Sequence, residues 1–262
     1  MGRDCVYLPV FYDQGRVIPI SSPFRITALG EMKQHTISKD STQTMALYRK
    51  YFIGPHCYGV AKRLCGGKFQ VSNYADFRDS ITIHTIPDYV IQSGEFEVKT
   101  NEKYRYWRYF SAEDQYNNMA ELYFYRNGTD QRLLGKIIGT SGTITNNDAN
   151  LKEVVFDWDP LTYYDALTPS GSWVGLDFGE PVEIDRISYT PRGDGNDITP
   201  GDIHEFLYWG DDGWVSLGTQ VANDIKLVYE NIPKNTVYWV RNLSRGKDER
   251  IFTYENGKQI WW

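Results

Sequence analysis

The chain has 262 residues, a formal net charge of −6 and an aromatic content of 15%, so it has room for one large domain or two ordinary ones. Its Lys and Arg residues are scattered and form no basic stripe, which argues against nucleic acid as a partner, because that binding depends on neutralising phosphates. No apolar run approaches the length of a membrane span, which argues against membrane insertion.

The amino terminus and the cysteines carry little information about processing. Residues 1–6 are not followed by the apolar segment of a secretory leader. The three cysteines, Cys5, Cys57 and Cys65, are too few and odd in number for a disulfide framework. His56, Cys57 and Cys65 lack a fourth zinc ligand, so we expect small thiols that are buried or half-buried.

The N-terminal part is predicted to begin with a β-hairpin. Residues 6–12 and 16–20 flank a turn at 13–15, and Pro9 indicates an edge strand. Residues 28–44 are polar with weak periodicity and are predicted to form a loop, whereas residues 45–52 alternate like a strand.

The middle of the chain is a series of short alternating runs. They lie at 81–86, 95–98, 104–110 and 121–125, and a turn follows at 126–128. Helix signals are almost absent. This pattern predicts an all-β protein built from sandwiches.

Two segments of the chain resemble each other. Residues 104–128 and 236–257 each contain a Tyr-Trp strand, a Ser-containing loop and an alternating aromatic strand that ends in Asn-Gly, and Glu121 and Glu249 occupy matching positions. Self-similarity at this spacing predicts two copies of one fold. We therefore expect one sandwich at 1–127 and a second at 132–262.

The C-terminal half contains four pieces in a recognisable order. These are the acidic aromatic loop 156–165, the runs 172–179 and 187–192, and the segment 249–258. Their order resembles the discoidin, or coagulation factor 5/8 type C, domain, a galactose-binding-like jelly roll. The resemblance covers most of 135–262, whereas 1–65 departs from the pattern. It implies that the second of the two tandem β-sandwiches is a jelly roll.

The same resemblance implies a structural calcium ion. Asp157, Asp159 and Thr162 match the calcium loop of that family, and Glu249 matches its closing Glu. Calcium prefers several oxygen ligands of this kind. Trp158 stands where the family usually has Gly. The alternative is an ordinary turn with solvated Asp side chains. Glu121 has no Asp-rich partner loop in the first half, so we expect no metal there.

The family binds ligands, often galactose-type sugars, at the loops around that end. Sugar sites need an aromatic face and a few planar polar groups. The candidates are three aromatic residues of the first loop and three polar residues of the loop 191–197, namely Trp158, Tyr163, Tyr164, Arg192, Asp194 and Asn196. An alternative for Arg192 is a structural ion pair with a carboxylate.

A second resemblance spans nearly the whole chain. Residues 6–12, 66–70 and 254–262 are similar to the C-terminal region of large Bacteroidetes proteins that carry a transglutaminase-like domain and usually a secretion signal. It implies a location outside the cell or on its surface.

The sequence therefore favours a binding module over an enzyme. His56 and Cys57 are adjacent, and neighbouring side chains of a strand point to opposite faces. His84 and His204 fall in strand-like segments, and no carboxylate pair is concentrated in one place. We expect a non-catalytic glycan-binding module of a secreted or cell-surface bacterial protein. The alternative is a structural or protein-interaction accessory segment of a transglutaminase-like enzyme.

Overall fold

The fold is all-β, with antiparallel sheets throughout the described residues, as the sequence predicts. The computed structural model describes residues 5–50, 60–87, 93–100, 102–126, 128–245 and 250–262. In chain order the strands are β1 (Val6–Tyr7), β2 (Val10–Asp13), β3 (Arg16–Pro19), β4 (Phe24–Ile26), β5 (Met32–Gln34), β6 (Ser38–Leu47), β7 (Lys68–Ser72), β8 (Ile81–Thr85), β9 (Gly94–Glu97), β10 (Tyr104–Phe110), β11 (Asn117–Tyr125), β12 (Lys136–Gly139), β13 (Tyr164–Asp165), β14 (Trp173–Val182), β15 (Arg186–Pro191), β16 (Ile203–Trp209), β17 (Trp214–Val221), β18 (Leu227–Lys234), β19 (Tyr238–Asn242), β20 (Ile251–Glu255) and β21 (Lys258–Trp261). Two 3₁₀ turns lie at Asp148–Asn150 and Lys152–Phe156.

The chain divides into two compact units, and the division does not follow the predicted boundary. Unit 1 is Met1–Phe52 with Ile198–Trp262, and unit 2 is Ile53–Asp197. The expected domains, 1–127 and 132–262, are therefore corrected. Unit 2 is one continuous segment, and in the sequence it lies between the two segments that form unit 1. The reason is strand pairing across the expected linker, because β10 pairs with β14 and β11 pairs with β15.

Unit 2 is a β-sandwich. One sheet has the strand order β12-β14-β10-β7-β8 and the other has the order β13-β11-β15-β9. Phe69 of the first sheet contacts Phe96 and Tyr189 of the second, with ring centroids 5.0 and 5.5 Å apart. A fully buried aromatic of this kind contributes roughly 2–3 kcal/mol of hydrophobic stabilisation. The core thus lies between the two sheets, where alternate residues of each strand meet.

Unit 1 contains a five-stranded sheet of order β17-β16-β19-β20-β21. Phe206 of β16 is completely buried and contacts Tyr229 of β18, with ring centroids 4.6 Å apart. Strand β18 pairs with β6, so the segment that was expected to be a loop, 28–44, instead supplies β5 and most of β6. That prediction is wrong because β6 is held as a strand by its pairing with β18, a long-range contact that the local sequence of 28–44 does not indicate.

Candidate functional site

The acidic loop of unit 2 is a turn that satisfies its own polar groups. It follows the 3₁₀ turn Lys152–Phe156. Asp157 accepts hydrogen bonds from the backbone N–H of Asp159 at 2.8 Å and from the hydroxyl of Thr162 at 2.9 Å. Asp159 accepts one from the N–H of Leu161 at 3.1 Å. These are the bonds by which Asp residues form turns, so the three predicted ligands from this loop lie together in one compact structure.

Trp158 adopts the backbone conformation that its position in the loop demands. Its φ is +69°, in the left-handed region that favours Gly. Its half-buried ring packs against Tyr123, with centroids 5.3 Å apart. The guanidinium of Arg132 lies 3.0 Å from the centre of the Trp158 ring. The contacts of the large ring thus offset the backbone strain, and they hold the indole against unit 2 rather than in solvent.

Glu121 lies beneath this loop on β11 and is completely buried. Its Oε2 accepts a hydrogen bond from the hydroxyl of Tyr123. Its Oε1 has no hydrogen-bond partner within the described part of the chain. Burial is the main cause that raises the pKa of Glu121 to about 9; the charge of Asp157 contributes in the same direction, and the hydrogen bond from Tyr123 and smaller effects of Trp158 and Arg132 oppose it. The carboxyl group is therefore protonated at neutral pH.

The position of Glu121 corrects one expectation about the site. The sequence predicts that Glu121 has no acidic partner loop and that Glu249 closes the loop at Asp157. Glu249 lies outside the described residues, whereas Glu121 is close enough to Asp157 for their charges to interact. The sequence offers no local signal for this proximity, because it arises from long-range sheet pairing.

The second loop brings three predicted ligand residues together. Arg192 donates a hydrogen bond through Nε to Oδ1 of Asp194 at 2.7 Å. Its guanidinium carbon lies 4.1 Å from the centre of the Tyr163 ring. The backbone N–H of Arg192 donates to the carbonyl of Asn118 at 2.9 Å, which fixes the loop to β11. Tyr163, Arg192 and Asp194 are all half-buried, so an aromatic ring, a planar cation and a carboxylate converge at a partly exposed position.

Two predicted ligand residues are structural instead. Tyr164 is completely buried, and its hydroxyl donates to the carbonyl of Thr140 at 2.9 Å. Asn196 is also buried, and its side-chain amide donates to the carbonyl of Gly193 at 2.8 Å. Burial removes both side chains from any surface that a ligand contacts. Their expected role in ligand binding is therefore corrected to support of the two loops.

The remaining candidate groups are dispersed. His84 stacks on Phe96 with ring centroids 4.0 Å apart. His204 is buried in β16, where its Nδ1 lies 3.2 Å from the carbonyl oxygen of Asp202. His56 and Cys57 lie outside the described residues. Within the described ranges, no group of three or more His, Cys, Asp or Glu side chains is arranged to hold a metal ion.

Comparisons of the chain with protein-family models, with curated proteins and with solved structures give no match. In the part of the chain that the structure describes, no helix is both long and apolar enough to cross a membrane.

Proposed function

We propose that this chain is a non-catalytic, carbohydrate-binding module of a secreted or cell-surface bacterial protein. The observation that carries the proposal is the convergence of Tyr163, Arg192 and Asp194 on one partly exposed position of unit 2. Carbohydrate sites combine an aromatic ring, which contacts the C–H face of a sugar, with planar polar groups that fix its hydroxyls. The ion pair holds Arg192 in place before a ligand arrives, which reduces the entropic cost of binding.

We further propose that a structural calcium ion binds next to this position. Glu121 supports this proposal, because a buried carboxylate oxygen without a hydrogen-bond partner is suited to a cation. Glu121 and Asp157 would supply carboxylates, and backbone carbonyls of the loop would complete the oxygen shell. Bound calcium would keep both carboxylates ionised and stiffen the loop that carries Tyr163.

The glycan proposal is tested by thermal shift. The protein is heated with a panel of glycans, including galactose-type sugars, with and without calcium. A ligand that binds only the native state raises the Tm by mass action. We expect a rise for the wild type that is lost in Tyr163→Ala and retained in Tyr74→Ala, a control at an exposed tyrosine of the same unit. No rise with any glycan, or a rise that Tyr163→Ala retains, contradicts the proposal.

An accessory role in protein binding is the second candidate. The hairpin of β2 and β3 pairs only with itself among the described strands and exposes Phe11, Tyr12 and Ile18. Exposed apolar clusters of this kind mark protein contacts. If this role holds, a purified transglutaminase-like domain binds the wild type in calorimetry and binds a Phe11→Ser variant more weakly.

A further inference from the structure

The five-stranded sheet of unit 2 has an outer face that is turned away from the core. Directly opposite residues of neighbouring antiparallel strands point to the same face. Five residues of β7, β10 and β14 that lie opposite one another share the outer face, namely Lys68, Gln70, Arg108, Phe110 and Trp173. Tyr109, which follows Arg108 in β10, lies in the core instead. The outer face therefore brings two cations, an amide and two aromatic rings together.

Arg108 is held between aromatic rings on this face. Its guanidinium carbon lies 3.9, 4.8 and 5.1 Å from the centres of the Phe77, Phe110 and Trp173 rings. Its Nε and Nη2 donate hydrogen bonds to Oε1 of Gln70 at 2.9 and 2.7 Å. Phe77 is buried, whereas Arg108, Phe110 and Trp173 are half-buried. The ring contacts and the two hydrogen bonds fix the orientation of the planar guanidinium group.

Arg108 forms no ion pair within the described ranges, unlike other arginines of the chain that lie over rings. Arg186 and Arg241 each pair with a carboxylate, that of Glu95 at 2.6 Å and that of Glu205 at 3.0 Å. Burial lowers the pKa of Arg108 to about 10, and a nearby carboxylate would have raised it. Arg108 is therefore a protonated, half-buried cation whose loss of hydration is not offset by an anion.

Three hydrogen-bond donors at this position are open to solvent. Nη1 of Arg108 and Nε1 of Trp173 donate no hydrogen bond to any described residue, and neither atom is buried. Lys68 is exposed and forms no ion pair in the described part of the chain. A ligand that supplies acceptor atoms and negative charge can therefore reach all three donors from solvent.

We propose that this position binds an acidic sugar, a hexuronic acid, whose carboxylate pairs with Nη1 of Arg108. A carboxylate matches the planar guanidinium group and supplies the negative charge that Arg108 lacks. Trp173 and Phe110 offer aromatic surface to the C–H face of the sugar ring. A neutral sugar would leave the cation unpaired, so the position selects the acid. None of these residues belongs to the loops at Tyr163, so the two sites can be tested separately.

The test is ligand-observed NMR titration of the full chain with galacturonic acid and glucuronic acid, beside galactose and glucose, which lack the carboxylate. We expect at least one acid to bind the wild type with a Kd on the order of 1 mM, a typical weak affinity. Arg108→Gln should weaken that binding at least tenfold and leave the binding of the neutral sugars unchanged. Arg241→Gln is the matched control, because it removes an arginine that already has a carboxylate partner, and it should bind the acid as the wild type does.

Four results overturn the proposal. They are no binding of either acid to the wild type, equal binding of the acid to Arg108→Gln, binding of acetate as tight as that of the acids, and tighter binding of an aspartate-rich peptide than of both acids. Acetate supplies the carboxylate without the sugar ring, and the peptide represents a protein partner.

A second variant serves should Arg108→Gln fail to fold. In Gln70→Glu the new carboxylate can accept the same two hydrogen bonds from Arg108, and it neutralises the cation from within the chain. The acid should then bind at least tenfold more weakly, and unchanged binding overturns the proposal. Tyr163→Ala should bind the acid as the wild type does, whereas loss of binding in that variant would place the acid at the Tyr163 position instead.

Discussion

Glu121 in unit 2 and His35 in unit 1 are both buried groups with one polar atom that has no partner among the described residues. Their pKa values move in opposite directions, to about 9 for the carboxyl group and to about 4 for the imidazole. Both groups are therefore neutral at pH 7, because burial penalises the charged form of each. A nearby opposite charge, Arg132 for Glu121 and Glu255 for His35, does not reverse the effect. The comparison shows that desolvation outweighs charge pairing at both positions.

The largest predicted effect concerns Glu121. Its pKa is higher in the folded chain than in the unfolded chain, so the folded state holds a proton that the unfolded state releases between about pH 4.5 and pH 9. The free energy of unfolding should therefore fall by roughly 1 kcal/mol for each pH unit of that window. Urea unfolding of the wild type and of Glu121→Gln, at pH 5 to 8 without calcium, measures the difference. If the free energy of unfolding changes with pH to the same extent in both proteins, folding does not raise the pKa of Glu121 and the prediction is wrong.

Calcium should reverse that loss of stability. The ion requires the ionised carboxylate, so its apparent affinity rises with pH. At a calcium concentration one hundred times the Kd, the free energy of unfolding should increase by roughly 2.7 kcal/mol. Thermal unfolding at pH 8 with and without calcium measures this increase in the wild type. Glu121→Gln should lose it, and Tyr74→Ala should keep it.

His35 should produce a smaller effect of opposite sign. Its pKa is lower in the folded chain, so the unfolded state binds more protons between about pH 4 and pH 6.5. Stability should rise with pH through that window, by roughly 1–2 kcal/mol in total. The groups that face His35 are Arg25, Lys33 and Glu255. The free energy of unfolding is measured at several pH values for the wild type and for His35→Gln, and the difference between the two proteins isolates the effect of His35. A difference that does not change with pH would contradict the prediction.

The smallest predicted effect separates backbone strain from packing at Trp158. Replacement by Ala or by Gly removes the same contacts with Tyr123 and Arg132. Gly accepts the φ of +69° without the penalty that Ala carries. Trp158→Gly should therefore be about 1 kcal/mol more stable than Trp158→Ala in urea unfolding. A more stable Ala variant would show that the loop relaxes when the indole is removed.

The segments 104–128 and 236–257 show how far the sequence predicts this fold. Both form two strands, as their alternation indicates. However, β10 and β11 lie in different sheets of unit 2, whereas β19 and β20 are neighbours in one sheet of unit 1. The prediction of two copies of one fold is therefore wrong. Alternation shows which residues face a core, but the partner of a strand is chosen by contacts far away in sequence.

In the candidate site, too, the sequence predicts local structure but not contacts between distant residues. The turn at Asp157 and Thr162 forms within a few residues, so its composition was sufficient to predict it. The contact of Tyr163 with Arg192 joins two loops, and the family resemblance offers both residues as ligand candidates without predicting that they touch. The burial of Glu121 and His35 was not predicted, because nothing near either residue in the sequence indicates burial without a partner.

Carbohydrate binding at the Tyr163 position can be tested by mapping the backbone amide signals of the chain during titration with a glycan that raises its Tm. We expect the signals that move most to belong to residues 157–163 and 191–194, and we expect Tyr163→Ala to remove these shifts. Movement confined to other residues, or saturation without any movement in these two loops, would contradict it.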